Sequence, residues 1–167
     1  MRKPWKFILF VSLSPIIAGL YGFLHNQISF LFSTEYFSQF KLAAFGLGQP
    51  ILSDRIRAGM FGLLSSWWLG FLFAFVIAVF AWQKIRTAYL QNCFRAAGII
   101  ILVSLGSGLL GLIIGYIFSD MLATGVFIPP GVADTTSFVA VGIMQKMGFY
   151  GVFPGLVIAV LEMYRRN

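Results

Sequence analysis

Four long apolar segments, at about 5–24, 58–82, 96–118 and 147–161, leave this chain few ways to fold. Each approaches the ~20 residues that a helix needs to cross ~30 Å of hydrocarbon, where a segment must pair its own backbone groups. The expected fold class is all-α: an integral membrane four-helix bundle, one transmembrane domain over 1–167, with outward segments at 25–57 and 119–146. Composition argues against the soluble alternative, since 59% of residues are hydrophobic and 10% charged, against ~45–50% and ~25% in soluble domains. At 167 residues, four spans leave no room for a separate soluble catalytic domain.

The charges between the segments set an orientation. Arg2, Lys3 and Lys6, then Lys84, Arg86 and Arg95, then Arg165 and Arg166 fall on one side, with Glu162. Lys41, Arg55, Arg57 and Lys146 fall on the other, balanced by Glu35, Asp54, Asp120 and Asp134. Basic residues flanking spans mark the cytoplasmic side, so both termini are expected inside, with Trp5 and Trp82 at the inner headgroup level. The net charge of +7 is thus explained by topology, and a nucleic-acid partner is not expected, because no basic stripe with interleaved aromatics occurs. The expected partner is the lipid bilayer.

The start, MRKPWK followed by FILFVSLSPIIAGL, also has the form of a signal peptide. The apolar run continues through Tyr21 and Phe23 without a small-x-small cleavage site, so it reads as an uncleaved first span. The one cysteine, Cys93, excludes an internal disulfide and reads as an ordinary small residue.

Small residues predict how the spans pack. Gly108, Gly111 and Gly115 in the third, and Gly151 and Gly155 in the fourth, stand at intervals that let helix backbones approach closely in lipid. The two spans are expected to pack on each other or on a second copy. Ala58, Gly62, Ser66 and Gly70 form a similar face in the second span. Pro15 and Pro154 lie within spans and are expected to kink them.

In the first outward segment, Ile28, Phe30 and Phe32 alternate with other residues and predict a short extended stretch. Ser33 then reads as a cap, with Glu35 favouring the dipole of an amphipathic helix whose apolar side is Tyr36, Phe37, Phe40 and Ala44. In the second, Pro129, Pro130 and Gly131 break regular structure, and Asp134 reads as the cap of a helix starting at Thr135 and running into the fourth span.

The stretch His25 to Phe45 and the run RAGMFGLLSSWWLG from Arg57 to Gly70 together carry His-x-Gln, Ser-x-Glu-Tyr-Phe and Trp-Trp patterns. In these the chain resembles a group of small uncharacterised bacterial inner-membrane proteins. The resemblance spans about a third of the chain; it implies a bacterial origin and four spans, and no reaction or catalytic residue.

Candidate chemistry is sparse. His25 is the sole histidine; it is read either as an interfacial hydrogen-bonding residue or as a metal or proton site, the latter needing Glu35, Asp120 or Asp134 to converge on it. Trp67 and Trp68 fall near mid-bilayer, as core packing or as the aromatic wall of an apolar ligand site. Arg55 and Arg57 are either neutralised by Asp54, Glu35 or Asp120 or form a small anion site. No span carries a charge at its middle, which disfavours a monomeric ion-coupled transporter. Two functions remain. One is a non-enzymatic accessory or assembly protein that docks partner helices or a second copy through its glycine faces. The other is binding or transport of a lipid-like or small anionic ligand in an outward pocket of His25, Glu35, Tyr36, Arg55, Arg57 and Trp68. No nucleophile–base pair, metal cluster or phosphate loop points to an enzyme, and no cofactor is identified.

Overall fold

Backbone hydrogen bonding in lipid leaves the helix as the default, and long helices dominate. The computed structural model describes residues 3–45, 52–85 and 87–165; Arg2, Arg86 and Arg166, counted above among the flanking charges, lie outside them. Four helices are long and apolar enough to span a membrane: α1 (Lys3–Phe32), α3 (Asp54–Lys84), α4 (Tyr89–Ile117) and α6 (Thr135–Arg165). Short elements occupy the end of the bundle opposite the termini: a π-helical segment Tyr36–Lys41 leading into α2 (Leu42–Ala44), and α5 (Ser119–Ala123). The chain is a multi-pass membrane helical bundle.

The long helices exceed the expected spans. At about 1.5 Å per residue, the 30 residues of α1 reach well past the hydrocarbon. Ile28, Phe30 and Phe32 are therefore helical, which corrects the extended stretch. Ser29 donates its hydroxyl to the His25 carbonyl, and the Ser33 N–H bonds the Ser29 carbonyl. The polar residues here point inward: Asn26 and Ser29 are buried while Leu31 and Phe32 face out. A window read for alternation alone misses that inverted pattern. α6, in turn, begins at Thr135 and runs on through the fourth span, as the Asp134 cap led one to expect.

The helices form two tight pairs, α1 with α3 and α4 with α6, and the pairs touch each other more sparingly. Within each pair, glycine permits the approach. A Cβ at Gly62 would stand 2.6 Å from the Gly22 carbonyl carbon. One at Gly111 would meet the Ile143 carbonyl oxygen at 2.9 Å, one at Gly155 would lie 3.0 Å from the Ile100 Cα, and Gly115 packs on Ala140 and Gly151 on Ser107. Of the two expected arrangements for the third and fourth spans, the structure has them together within one chain. Between pairs, large rings meet: Phe10 on Phe94 at 5.2 Å and Phe73 on Phe153 at 5.9 Å between centroids.

Two apolar clusters result. The one nearer the termini centres on Phe10, Phe73, Ile77, Tyr89, Cys93 and Ile100. The other, at the opposite end, centres on Tyr36, Phe37, Leu42, Phe138, Val141 and Met144. Lys3 donates to the Trp82 carbonyl at 2.7 Å, and Arg95 pairs with Glu162 at 3.4 Å, so the flanking charges tie the helix ends together on the basic side.

Candidate functional site

Between the two clusters, where the helix pairs stand apart, lies a cavity of about 370 Å³ lined by all four long helices. Its half toward the termini is apolar, walled by Phe10, Phe73, Ile77, Ala97 and Ile100. Its other end carries Tyr21, His25, Asn26, Ser104 and Gln145. Trp68 and Phe149 also line it while remaining 47% and 45% exposed. They mark a lateral mouth between α3 and α6, open toward the lipid side.

The polar end holds two hydrogen-bonded groups. Ser104 donates its single hydroxyl proton to the Gly148 carbonyl at 2.8 Å, so the Tyr21 hydroxyl, 2.9 Å away, is the donor of that pair. Asn26 donates to the Ala58 carbonyl at 2.8 Å, fastening α1 to α3. The Gln145 amide donates to Asn26 Oδ1 at 3.0 Å and to Ser29 Oγ at 2.9 Å, fastening α6 to α1. Polar groups in lipid find partners on neighbouring helices because hydrocarbon has none to offer.

His25 stands differently. The residue is 7% exposed, and its Nε2 has no hydrogen-bond partner among the described residues. That atom sits against the notch where α4 and α6 touch: a Cβ at Gly108 would lie 3.1 Å from it and one at Gly148 3.3 Å. The glycines make room for an imidazole that reaches across from α1.

The other sequence candidates do not join this site. Glu35 accepts the backbone N–H groups of Ala133 at 2.9 Å and Asp134 at 3.0 Å and the Gln39 amide at 3.4 Å, so its carboxylate joins the start of its own helical segment to the approach to α6. Ser33 does cap, accepting the Tyr36 N–H at 3.2 Å. Tyr36 is buried among Phe37, Phe40 and Phe138, and burial raises its phenol above the ordinary value. The π-helical step bonds the Leu42 N–H to the Phe37 carbonyl, which places Leu42 in the core and leaves Ala44 exposed, against the expected face. Lys41 lies over the Tyr36, Phe40 and Phe61 rings; burial, then the like charge of Lys146, lowers its ammonium below the usual lysine range.

Arg57 pairs with Asp54, as one expectation had it, and Arg55 bonds Gln27 Oε1 at 3.0 Å. Neither arginine lines the cavity. The outward pocket of six residues therefore divides: His25 and Trp68 line one cavity inside the bundle, and Glu35, Tyr36, Arg55 and Arg57 do separate work outside it. Trp67 and Trp68 are both about half exposed, which corrects the packed-core reading of that pair. Among the described residues, no three His, Cys, Asp or Glu side chains gather as a metal site.

Sequence reading missed Tyr21, Asn26, Ser104 and Gln145. A signal was present in α1, where Ser14, Tyr21, His25 and Ser29 recur at helical intervals on one face. Ending the span at Leu24 cut that stripe in two. No protein-family model, curated protein or solved structure matches the chain.

Proposed function

We propose that this protein binds a lipid-like, amphipathic molecule inside the membrane, in the cavity between its two helix pairs. The observation that carries this is the cavity's division, with an apolar half among Phe10, Phe73 and Ile100, a polar end at His25 and Gln145, and a lipid-side mouth at Trp68 and Phe149. Ligand sites generally combine an apolar lining with a few placed polar groups, in volumes of ~300–1,000 Å³. A molecule already dissolved in the bilayer would enter sideways, tail in the apolar half and headgroup at the network. The alternative, docking of partner helices through the glycine faces, has less support because those glycines are occupied within the chain.

The setting we propose is a bacterial inner membrane with both termini in the cytoplasm, supported by the excess of basic residues on that side and by the sequence resemblance. The test is lipid analysis of protein purified in mild non-ionic detergent. Wild type should retain a stoichiometric amphiphile, and Ala97→Trp, which projects an indole into the apolar half, should lose it. An identical lipid complement in both would refute the reading.

A further inference from the structure

We infer that the cavity's ligand is an uncharged amphiphile, with a hydroxyl or carbonyl headgroup that hydrogen-bonds His25. This rests on the binding reading above and names the ligand's chemistry. Among the described residues, no Lys, Arg, Asp or Glu lines the cavity. A phosphate, carboxylate or ammonium would enter without a counter-ion, and an unpaired charge in so apolar a space is strongly disfavoured. Uncharged headgroups face no such penalty.

Hydrogen-bond arithmetic then identifies the contact. Ser104 is committed to Gly148, Tyr21 to Ser104, and Asn26 and Ser29 to Gln145 and to main-chain carbonyls. Ser14 and Ser65 turn their hydroxyls back onto their own helices. Ser66 and Trp68 also line the space, but among the described lining residues His25 Nε2 is the fully buried side-chain polar atom without a partner, and it rests against the notch beside the cavity's polar end. A buried polar atom lacking a partner is costly, so a ligand that satisfies it is favoured. Gly108 and Gly148 place no Cβ against Nε2, and a turn of the ring about χ2, from the notch toward the cavity, is the movement by which it would meet the ligand. A ligand hydroxyl suits either imidazole tautomer, and a carbonyl suits the one protonated at Nε2.

The experiment uses Trp68 as the reporter at the mouth. In a Trp5→Phe, Trp67→Phe, Trp82→Phe background, fluorescence quenching would be titrated with two neutral probes, a brominated monoacylglycerol and a short-tailed benzoquinone. Two probes with ionic headgroups, a brominated fatty acid ionised at alkaline pH and a zwitterionic brominated lysophosphatidylcholine, complete the set. At least one neutral probe should bind about tenfold more tightly than either ionic one, and which does so tells hydroxyl from carbonyl recognition. His25→Ala should weaken that probe by roughly threefold to tenfold, the worth of one hydrogen bond, with partial rescue by His25→Gln. Gly108→Ala, which keeps the imidazole but crowds its turning space, should also weaken it. Equal quenching by all four probes, or neutral binding unchanged in both His25→Ala and Gly108→Ala, would overturn the inference and leave the cavity reading standing. Absence of quenching by every probe would overturn both.

Discussion

Gly62 is the position where the packing argument is most exposed to test. Adding one methyl group there places a carbon 2.6 Å from the Gly22 carbonyl carbon and 2.8 Å from Asn26 Nδ2. Carbon atoms in ordinary contact stand ~3.5–4.0 Å apart, so α1 and α3 must separate by about 1 Å, and the obstacle is backbone that no rotamer change relieves. Overpacking of this kind costs ~1–3 kcal/mol. Separation also strains the Asn26-to-Ala58 bond, and an interhelical hydrogen bond in a membrane protein is worth ~0.6 to 1.7 kcal/mol. Net of the ~0.5–1 kcal/mol that alanine gains over glycine in any helix, Gly62→Ala should destabilise the bundle by about 1–4 kcal/mol, a factor of roughly five or more. Gly106 is the control: a Cβ there meets nothing within 4 Å, and alanine gains ~0.5–1 kcal/mol over glycine in a helix. Unfolding by SDS titration from mixed micelles measures both, and the two variants should shift in opposite directions. A Gly62→Ala midpoint indistinguishable from wild type, or a Gly106→Ala loss of equal size, would refute the proposed α1–α3 seam.

Three further outcomes are expected. Glu35→Gln leaves one acceptor oxygen for two N–H groups and removes the charge, so amide exchange at Ala133 and Asp134 should accelerate; unchanged protection would mean that the carboxylate does not hold this segment. Asp134 accepts the Ser137 N–H at 3.0 Å, and this bonding to Ser137, side chain and backbone, holds its carboxyl below the usual range. Because the folded pKa is depressed, the stabilisation is present above the unfolded value of ~3.9 and is lost as pH falls through the folded one. The first turn of α6 should fray in that acid window, and Asp134→Asn should flatten the response in hydrogen exchange; fraying that instead grows with rising pH would reverse the assignment. Finally, in a Cys93→Ala background, an impermeant thiol reagent should label cysteines at 38 and 136 from outside and leave one at 87 unmodified, the reverse pattern inverting the orientation.

The helices were legible because each apolar run is long, and their caps because Ser33 and Asp134 sit where a helix must satisfy its first N–H groups. Helix ends were less legible. Hydropathy marks where lipid stops, whereas the backbone continues while polar side chains have interior partners, as Asn26, Ser29 and Gln145 do for one another. Glu35 shows a second limit. Its proximity to its own helix start predicted a dipole contact, and beside Gln39 four residues on, the carboxylate takes two backbone N–H groups nearly a hundred residues away. Only the pairing of helices could place them beside it.

The cavity follows from where side-chain size is spent, which is why composition of single spans does not reveal it. Within each pair, glycine and alanine let backbones meet, as at Gly22 with Gly62 and Gly115 with Ala140. Across the pairs the apolar contacts include rings, Phe10 on Phe94 and Phe73 on Phe153, which hold the helices farther apart than glycine does. Two zipped pairs propped apart by aromatics leave a space wherever no ring reaches across, and Ala74 and Ala97 are too small to fill it. At the polar end the same spacing lets His25 span the gap to the Gly108–Gly148 notch, which a histidine on a closely packed helix would have no room to do. The small-residue intervals were readable in the sequence. Whether they zipped one pair, the other, or two copies decided if a cavity would exist, and that depends on contacts between residues such as Gly62 and Gly22 that no interval along one helix encodes.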